Sequence, residues 1–103
     1  MFHADNAYFL PAARVVGHRV KTNTVSNTAF RGFGGNQGMM VIENIIDNIA
    51  ASLKKDPAEI RRRNFYQSHK KNITHYGMRI EDNVIHSIFD KLIKKLCKAL
   101  SCI

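Results

Sequence analysis

Between Met39 and Leu53, apolar side chains return at the three- and four-residue interval of an α-helix. This pattern narrows the possible folds more than any other feature of the chain. Met39, Ile42, Ile45, Ile46, Ile49, Ala50 and Leu53 fall on one face, with Glu43, Asn44, Asp47 and Asn48 opposite, which predicts a helix over about 37–53. Met40 and Val41 widen the apolar surface at its start. A second helix is announced by Asp56-Pro57-Ala58-Glu59. Asp56 can accept from first-turn amides, Pro57 sits where no donor is needed, and Glu59 is placed to reach back as in a capping box; this predicts a helix over about 56–66. A third is predicted over about 82–98, opened by Glu81-Asp82-Asn83. Its apolar stripe is Val84, Ile85, Ile88, Phe89, Leu92, Ile93, Leu96 and Cys97, and Lys91, Lys94, Lys95 and Lys98 lie on the other side. Tyr66 to Ile80 separates the second and third helices as a polar loop long enough to lean on something else.

The region before Gly34 has a different period. Ala7 to Leu10, Arg14 to Val16 and the Thr/Val-rich Val20 to Val25 are β-prone runs, and Pro11, which has no ladder donor, marks an edge or a break. The expected fold class is therefore α+β: short extended strands over about 5–33, then three helices. The three apolar stripes exceed what so thin a strand region can cover, which implies exposed patches on the free chain. With 103 residues and 45% hydrophobic content, the sequence suits one domain or a piece of one and excludes a charged disordered tail. No run of 18 apolar residues suggests a membrane span. Met1 to Pro11 lacks the basic and apolar regions of a secretory signal, and Cys97 and Cys102 read as ordinary reduced thiols, so the expected compartment is the cytoplasm.

Four of the six glycines are concentrated in Asn27 to Gly38, at the junction of the two periods. Glycine permits positive φ and lets a ligand approach main-chain amides, and the free amides of the following helix start favour an anion. Arg31 adds positive charge, and Phe33, between two glycines, can offer a flat face to a ring. An anionic, planar ligand suits this set; a plain connecting turn fits the same residues about as well. A dinucleotide fingerprint fails at Gln37, and the Gly-Lys-Ser/Thr of a P-loop is absent. Gly35-Asn36-Gln37-Gly38 does match the four-residue loop of KH modules. With a net charge of +8 and the Arg61-Arg62-Arg63 run, it leaves a small nucleic-acid-binding module as an alternative. On a helix those three arginines point 100° apart, so at least one is expected to turn inward and pair. The histidines show no metal-ligand spacing, and no protein-ligated metal is expected.

Longer motifs identify a family. Asp5-Asn6-Ala7-Tyr8, Lys21-Thr22-Asn23, Ser26 to Gly35, Gln37-Gly38-Met39, Asp56-Pro57 and Arg61 to Tyr66 resemble the molybdopterin-binding part of the xanthine dehydrogenase/aldehyde oxidase family of molybdenum hydroxylases. Thr74 to Met78 and Glu81 to Asn83 look like its bacterial form, which has a separate molybdenum subunit. The likeness covers about residues 3–90 and fades beyond. It implies that the whole chain, 1–103, is a fragment of a larger molybdopterin-binding domain and contributes to hydroxylation of hypoxanthine and xanthine to urate. The resemblance places Phe30, Arg31 and Gly32 against the molybdenum–molybdopterin cofactor and Phe33 against the purine ring. Asn36 stands where the family usually has proline. No residue here matches the family's catalytic base, so no catalytic residue is assigned and the isolated chain is expected to be inactive. The implied partners are the rest of the molybdenum subunit, an iron–sulfur/flavin subunit carrying the iron–sulfur clusters and FAD and passing electrons to NAD, and the purine substrate. Neither a membrane nor nucleic acid is expected among the partners.

Overall fold

The computed structural model describes residues 2–100, and of Leu100 the backbone alone; Cys102 lies outside the described residues. Three helices carry the fold: α1 (Gly35–Leu53), α2 (Pro57–Asn64) and α3 (Ile85–Leu100). They fall close to the three expected ranges. In α1 the ridge Ile42, Ile46 and Ala50 is buried, one residue per turn on the predicted face. Lys54 ends the helix in the left-handed region (φ 52°), and its N–H donates to the carbonyls of Ala50 and Ala51. The Asp56 carboxylate caps α2 by accepting from the Ala58 amide at 2.9 Å, with Pro57 at the first helical position. Glu59 does not close a capping box. Its carboxylate pairs with Arg63 at 2.6 Å, and with Lys55 at 3.8 Å. A cation one turn away competes successfully for it. The third helix begins at Ile85, three residues later than expected. Asn83 accepts from the Ile85 amide at 3.1 Å and donates to the Tyr66 carbonyl at 2.6 Å, so the cap also ties α3 to the preceding loop.

The core is one small cluster of Tyr8, Ile42, Ile46, Ala50, Ile60 and Phe65, with Ala7, Ile85 and Phe89 packed against it. Phe65 is its aromatic centre. It stacks on Tyr8 at 5.7 Å between ring centroids and meets the edge of Phe89 at 5.2 Å.

Of the expected strands over 5–33, only a single bridge at Tyr8 forms among the described residues. Among the described residues the β pairing consists of two isolated antiparallel bridges, Tyr8 with Phe65 and Ile73 with Arg79. Ala7 and Phe9 exchange backbone hydrogen bonds with Tyr66 and Asn64, and the pairing stops there, just before Pro11. Residues 13–30 run without a ladder partner, and Val16, Val20 and Val25 are 58, 74 and 92% exposed. β-Branched residues favour extended backbone, but a strand also needs a neighbour to receive its hydrogen bonds, and the described residues supply none to that segment. The α+β expectation is thus corrected to three helices with a largely unpaired N-terminal third.

The outer faces of two helices remain open. Val41, Ile45, Ile49 and Leu53 of α1 are 42–59% exposed, and Ile88, Leu92 and Leu96 of α3 are 49–56% exposed. The expectation of uncovered stripes holds. Truncating Ile46 to Ala is expected to destabilise the chain by about 2–5 kcal/mol. Ile45→Ala, on the open face of the same helix, should cost about 1 kcal/mol or less. Urea unfolding of the two variants checks this; equal losses would mean that the Ile42–Ile46–Ala50 ridge is not the core.

Candidate functional site

The glycine-rich segment folds as two tight turns that deliver the chain into α1. The Phe33 amide donates to the Phe30 carbonyl at 3.0 Å, and the Gly35 amide to the Gly32 carbonyl at 2.7 Å. Gly32, Phe33 and Gly34 occupy the left-handed region in succession (φ 95°, 48° and 80°). For the two glycines this is unstrained. For Phe33 it is a costly conformation, held by the turns on either side, and it leaves the ring 76% exposed. Phe30 is 86% exposed, and Arg31 makes no hydrogen bond or ion pair among the described residues. The structure therefore brings all four sequence-expected residues, Phe30, Arg31, Gly32 and Phe33, onto one exposed turn.

Behind this turn stands the start of α1. Gly34 is its N-cap and provides no side-chain cap. The Gly38 amide bonds back to Gly34 at 3.0 Å, whereas the amides of Asn36 and Gln37 have no acceptor among the described residues. Asn36 occupies a first-turn position, where a proline would forfeit no backbone bond, and its side chain lies over Gly32.

A strap formed by residues 2–8 crosses the same end of α1. A Cβ at Gly38 would sit 2.5 Å from the His3 carbonyl oxygen, so only glycine allows this approach. Farther along the strap, Asp5 is 4% exposed; Tyr66 donates to its carboxylate at 2.5 Å, and His75 Nδ1 lies 3.3 Å from the same oxygen. Tyr8 and Asn6 donate to Glu43 of α1 at 2.6 and 3.2 Å. Arg61 Nε of α2 donates to the other Glu43 oxygen at 2.8 Å, and its NH2 group reaches Asp47 at 2.8 Å. Strap, α1 and the loop over 73–80 enclose an open cavity of about 250 Å³, with His3, Asp5, Asn36, Thr74 and Tyr76 in its walls.

Burial acts on these groups first, and their partners then decide the outcome. At Tyr66, burial and the hydrogen bond and negative charge of Asp5 all push the phenol far above its ordinary 10. Tyr8 is raised likewise by burial and by Glu43, with Arg61 opposing. Burial would raise Glu43 too, but the hydrogen bonds from Tyr8 and Arg61 and the Arg61 charge outweigh it and hold the carboxyl below its ordinary 4.5.

Sequence reasoning did not pick out Asp5, Tyr66 and His75 as a group. Tyr66 and Asp5 are 61 positions apart, and no local pattern announces their contact. It did anticipate an inward arginine, which is Arg61, with its partners in this chain. Arg62 pairs with Asp90 at 3.1 Å and Arg63 with Glu59, so all three basic side chains are engaged. Gly35–Gly38 forms the first turn of α1 rather than a loop between two helices. Nothing in this arrangement supports the nucleic-acid alternative.

Amides, an arginine and an exposed aromatic ring on a glycine turn form a donor set suited to an organic anion with a planar partner. Residues 1–65 match the family model of the molybdopterin cofactor-binding domain. The chain belongs to that family. Its curated relatives include a xanthine dehydrogenase of Oryza sativa subsp. japonica, 47% identical over 92 residues, which are 89% of this chain and 7% of that protein. Xanthine dehydrogenase 2 of Arabidopsis thaliana is 48% identical over the same shares. The xanthine dehydrogenase/oxidase of Rattus norvegicus is 40% identical over 93 residues, 90% of this chain and 7% of its own length. The chain thus spans about a fourteenth of the relatives it matches. The turn leaves the amides of Asn36 and Gln37 without an acceptor among the described residues, and Gly32 holds a φ of 95° that residues with a side chain rarely adopt, features compatible with an approaching anionic group.

The shifts above set the pH response. A depressed carboxyl contributes stability that is present above its ordinary 4.5 and is lost as pH falls through its lower folded value. The raised phenols of Tyr8 and Tyr66 contribute stability that is present below pH 10 and is lost as pH climbs past it. Chemical unfolding followed from pH 7 down to pH 2 should therefore show a stability loss below 4.5 that is smaller in Glu43→Gln. An unchanged acid limb in that variant would remove Glu43 from the account.

Proposed function

We infer that residues 1–103 are a segment of the molybdopterin-binding domain of a xanthine dehydrogenase, a molybdenum hydroxylase that converts hypoxanthine and xanthine to urate. The observation that carries this reading is the exposed left-handed turn Gly32-Phe33-Gly34, which presents Arg31 and Phe33 at the open N-terminus of α1 in a chain of the molybdopterin-binding family. Phe30, Arg31 and Gly32 hold the cofactor. Arg31 and the free amides of Asn36 and Gln37 meet its negative charge, and the absence of a side chain at Gly32 lets it come close to the main chain. When bound, the molybdenum cofactor supplies the redox chemistry of hydroxylation, with water as the oxygen source. Phe33 packs on the purine face and orients the ring, a contact its strained backbone fixes in advance of binding.

The catalytic base and the iron–sulfur, FAD and NAD functions belong to other parts of the parent enzyme, which operates in the cytoplasm. Glu43 and Asp47 do not supply the base, because both carboxylates are committed to Arg61. The partners of this chain are accordingly the remainder of the molybdenum subunit, the iron–sulfur/flavin subunit and the purine.

The purified chain alone should show no xanthine oxidation. In a rice xanthine dehydrogenase whose matching segment is replaced by that of this chain, turnover should persist. There, Phe33→Ala should raise KM for xanthine about tenfold, the value of one aromatic stacking contact of about 1.4 kcal/mol, and Arg31→Ala should lower the bound pterin content. Retention of normal KM and pterin content in both variants would overturn the assignment.

A further inference from the structure

We propose that Asp5 is a positioning residue for the glycine turn: its buried carboxylate pins the N-terminal strap against the first turn of α1 and so fixes where Arg31 and Phe33 stand. The proposal rests on the reading of that turn as cofactor- and substrate-contacting, and it deepens it.

The chain of contacts is short. The His3 carbonyl lies against Gly38 so closely that a methyl group cannot enter. Gly38 in turn donates to Gly34, the N-cap and the last residue of the left-handed run. Any displacement of the strap at His3 therefore acts directly on the turn that presents Phe33. Two residues after His3, Asp5 is held from the opposite side. The Tyr66 hydroxyl follows directly on α2, and His75 sits on the loop closed by the Ile73–Arg79 bridge. That loop is itself fastened, since Thr74 is buried and exchanges bonds with Met78 through its amide (2.8 Å) and hydroxyl (2.9 Å). Phe2 adds an edge contact to Tyr76 at 5.2 Å.

The strap is thus clamped between a fixed loop and the start of α1. A carboxylate at 4% exposure that accepts from the Tyr66 hydroxyl, with His75 Nδ1 3.3 Å from the same oxygen, tolerates little movement, because losing the Tyr66 donor leaves a buried acceptor under-satisfied. Ordinary core contacts do not have this directional character. Truncation of Ile46 should weaken the fold without moving the turn, whereas truncation of Asp5 should move the turn.

The test uses ¹⁵N-labelled full chain. Asp5→Ala should shift the amide cross-peaks of Gly32, Gly34, Gly35 and Gly38 while those of Leu92 and Leu96 in α3 stay in place. Asp5→Asn, whose amide oxygen can still accept from Tyr66, should restore the parent positions. Gly38→Ala, which pushes the His3 carbonyl away without touching the carboxylate, should reproduce the Asp5→Ala pattern at Gly32, Gly34 and Gly35; this second route keeps the test decisive if Asp5→Ala fails to fold. Ile46→Ala should leave the glycine peaks unmoved. Glycine peaks that stay put in a folded Asp5→Ala or in Gly38→Ala, or that move equally in Ile46→Ala, would overturn the proposal.

In the rice chimera, Asp5→Ala should lower kcat/KM for xanthine by about 10- to 100-fold, as expected for a misplaced contact, with Asp5→Asn recovering most of it. An inactive unsubstituted chimera would count against the functional reading, whereas the amide shifts decide the clamp independently of it.

Discussion

The carboxylate of Glu43 joins three parts of the chain that otherwise meet in one small core. One oxygen accepts from Tyr8 and Asn6 of the N-terminal strap, and the other from Arg61 of α2, while the residue itself belongs to α1. Arg61 and Glu43 are each about one-quarter exposed, so this is neither a screened surface pair nor a dry one. The geometry at Arg61, with Nε on one carboxylate and NH2 on another one turn farther along α1, sets the angle at which the short α2 crosses. Tyr8 is the link between this polar junction and the core. Its hydroxyl ends on Glu43, and its ring, 2% exposed, stacks on Phe65. Without the junction, the six-residue core would have to align α1, α2 and the strap by undirected packing alone.

That core is small for the apolar surface the chain carries. Fully burying an exposed aliphatic side chain is worth about 1.5–3 kcal/mol, and one that now stands half-open gains about half of that. The uncovered positions on α1 and α3 therefore represent a driving force for association comparable to the whole stability of an ordinary domain. This agrees with the other proportion on view, since the chain matches 7% of the length of its relatives. In the proposed setting, the open faces of α1 and α3 are surfaces that meet the rest of a larger domain, and the turn at residues 30–34 faces a ligand that this chain only partly surrounds.

Legibility in the sequence followed the range of the interaction. The helices could be read because their signals are local: the Ile42–Ile46–Ala50 ridge is a four-residue repeat, and Asp56 caps an amide two residues away. The glycine turn could be read for the same reason, since what it presents depends on backbone freedom at adjacent positions. The strands were misread because a β-prone run specifies its own extension but not its partner, and Val20 and Val25 have none among the described residues. The Asp5–Tyr66–His75 contact could not be read at all. It closes two loops, of 61 and 70 residues by subtraction of the residue numbers, and each of its members taken singly looks like a common polar side chain.

The strain at Phe33 connects the local and the long-range parts. A bulky residue in the left-handed region costs on the order of 1–2 kcal/mol, and neither its exposed ring nor its neighbour Arg31 returns that energy through hydrogen bonds or ion pairs among the described residues. The turn could relax by unwinding the first residues of α1, where two amides are already free and no side chain caps the helix. What opposes this is the strap across Gly38, since unwinding would drive backbone into the His3 carbonyl. The strap can resist only if it is itself immobile, which requires a buried anchor held from elsewhere in the fold. Asp5 is such an anchor, and Tyr66 and His75, drawn from parts of the chain far from the turn, make the geometry of the exposed turn depend on the fold as a whole.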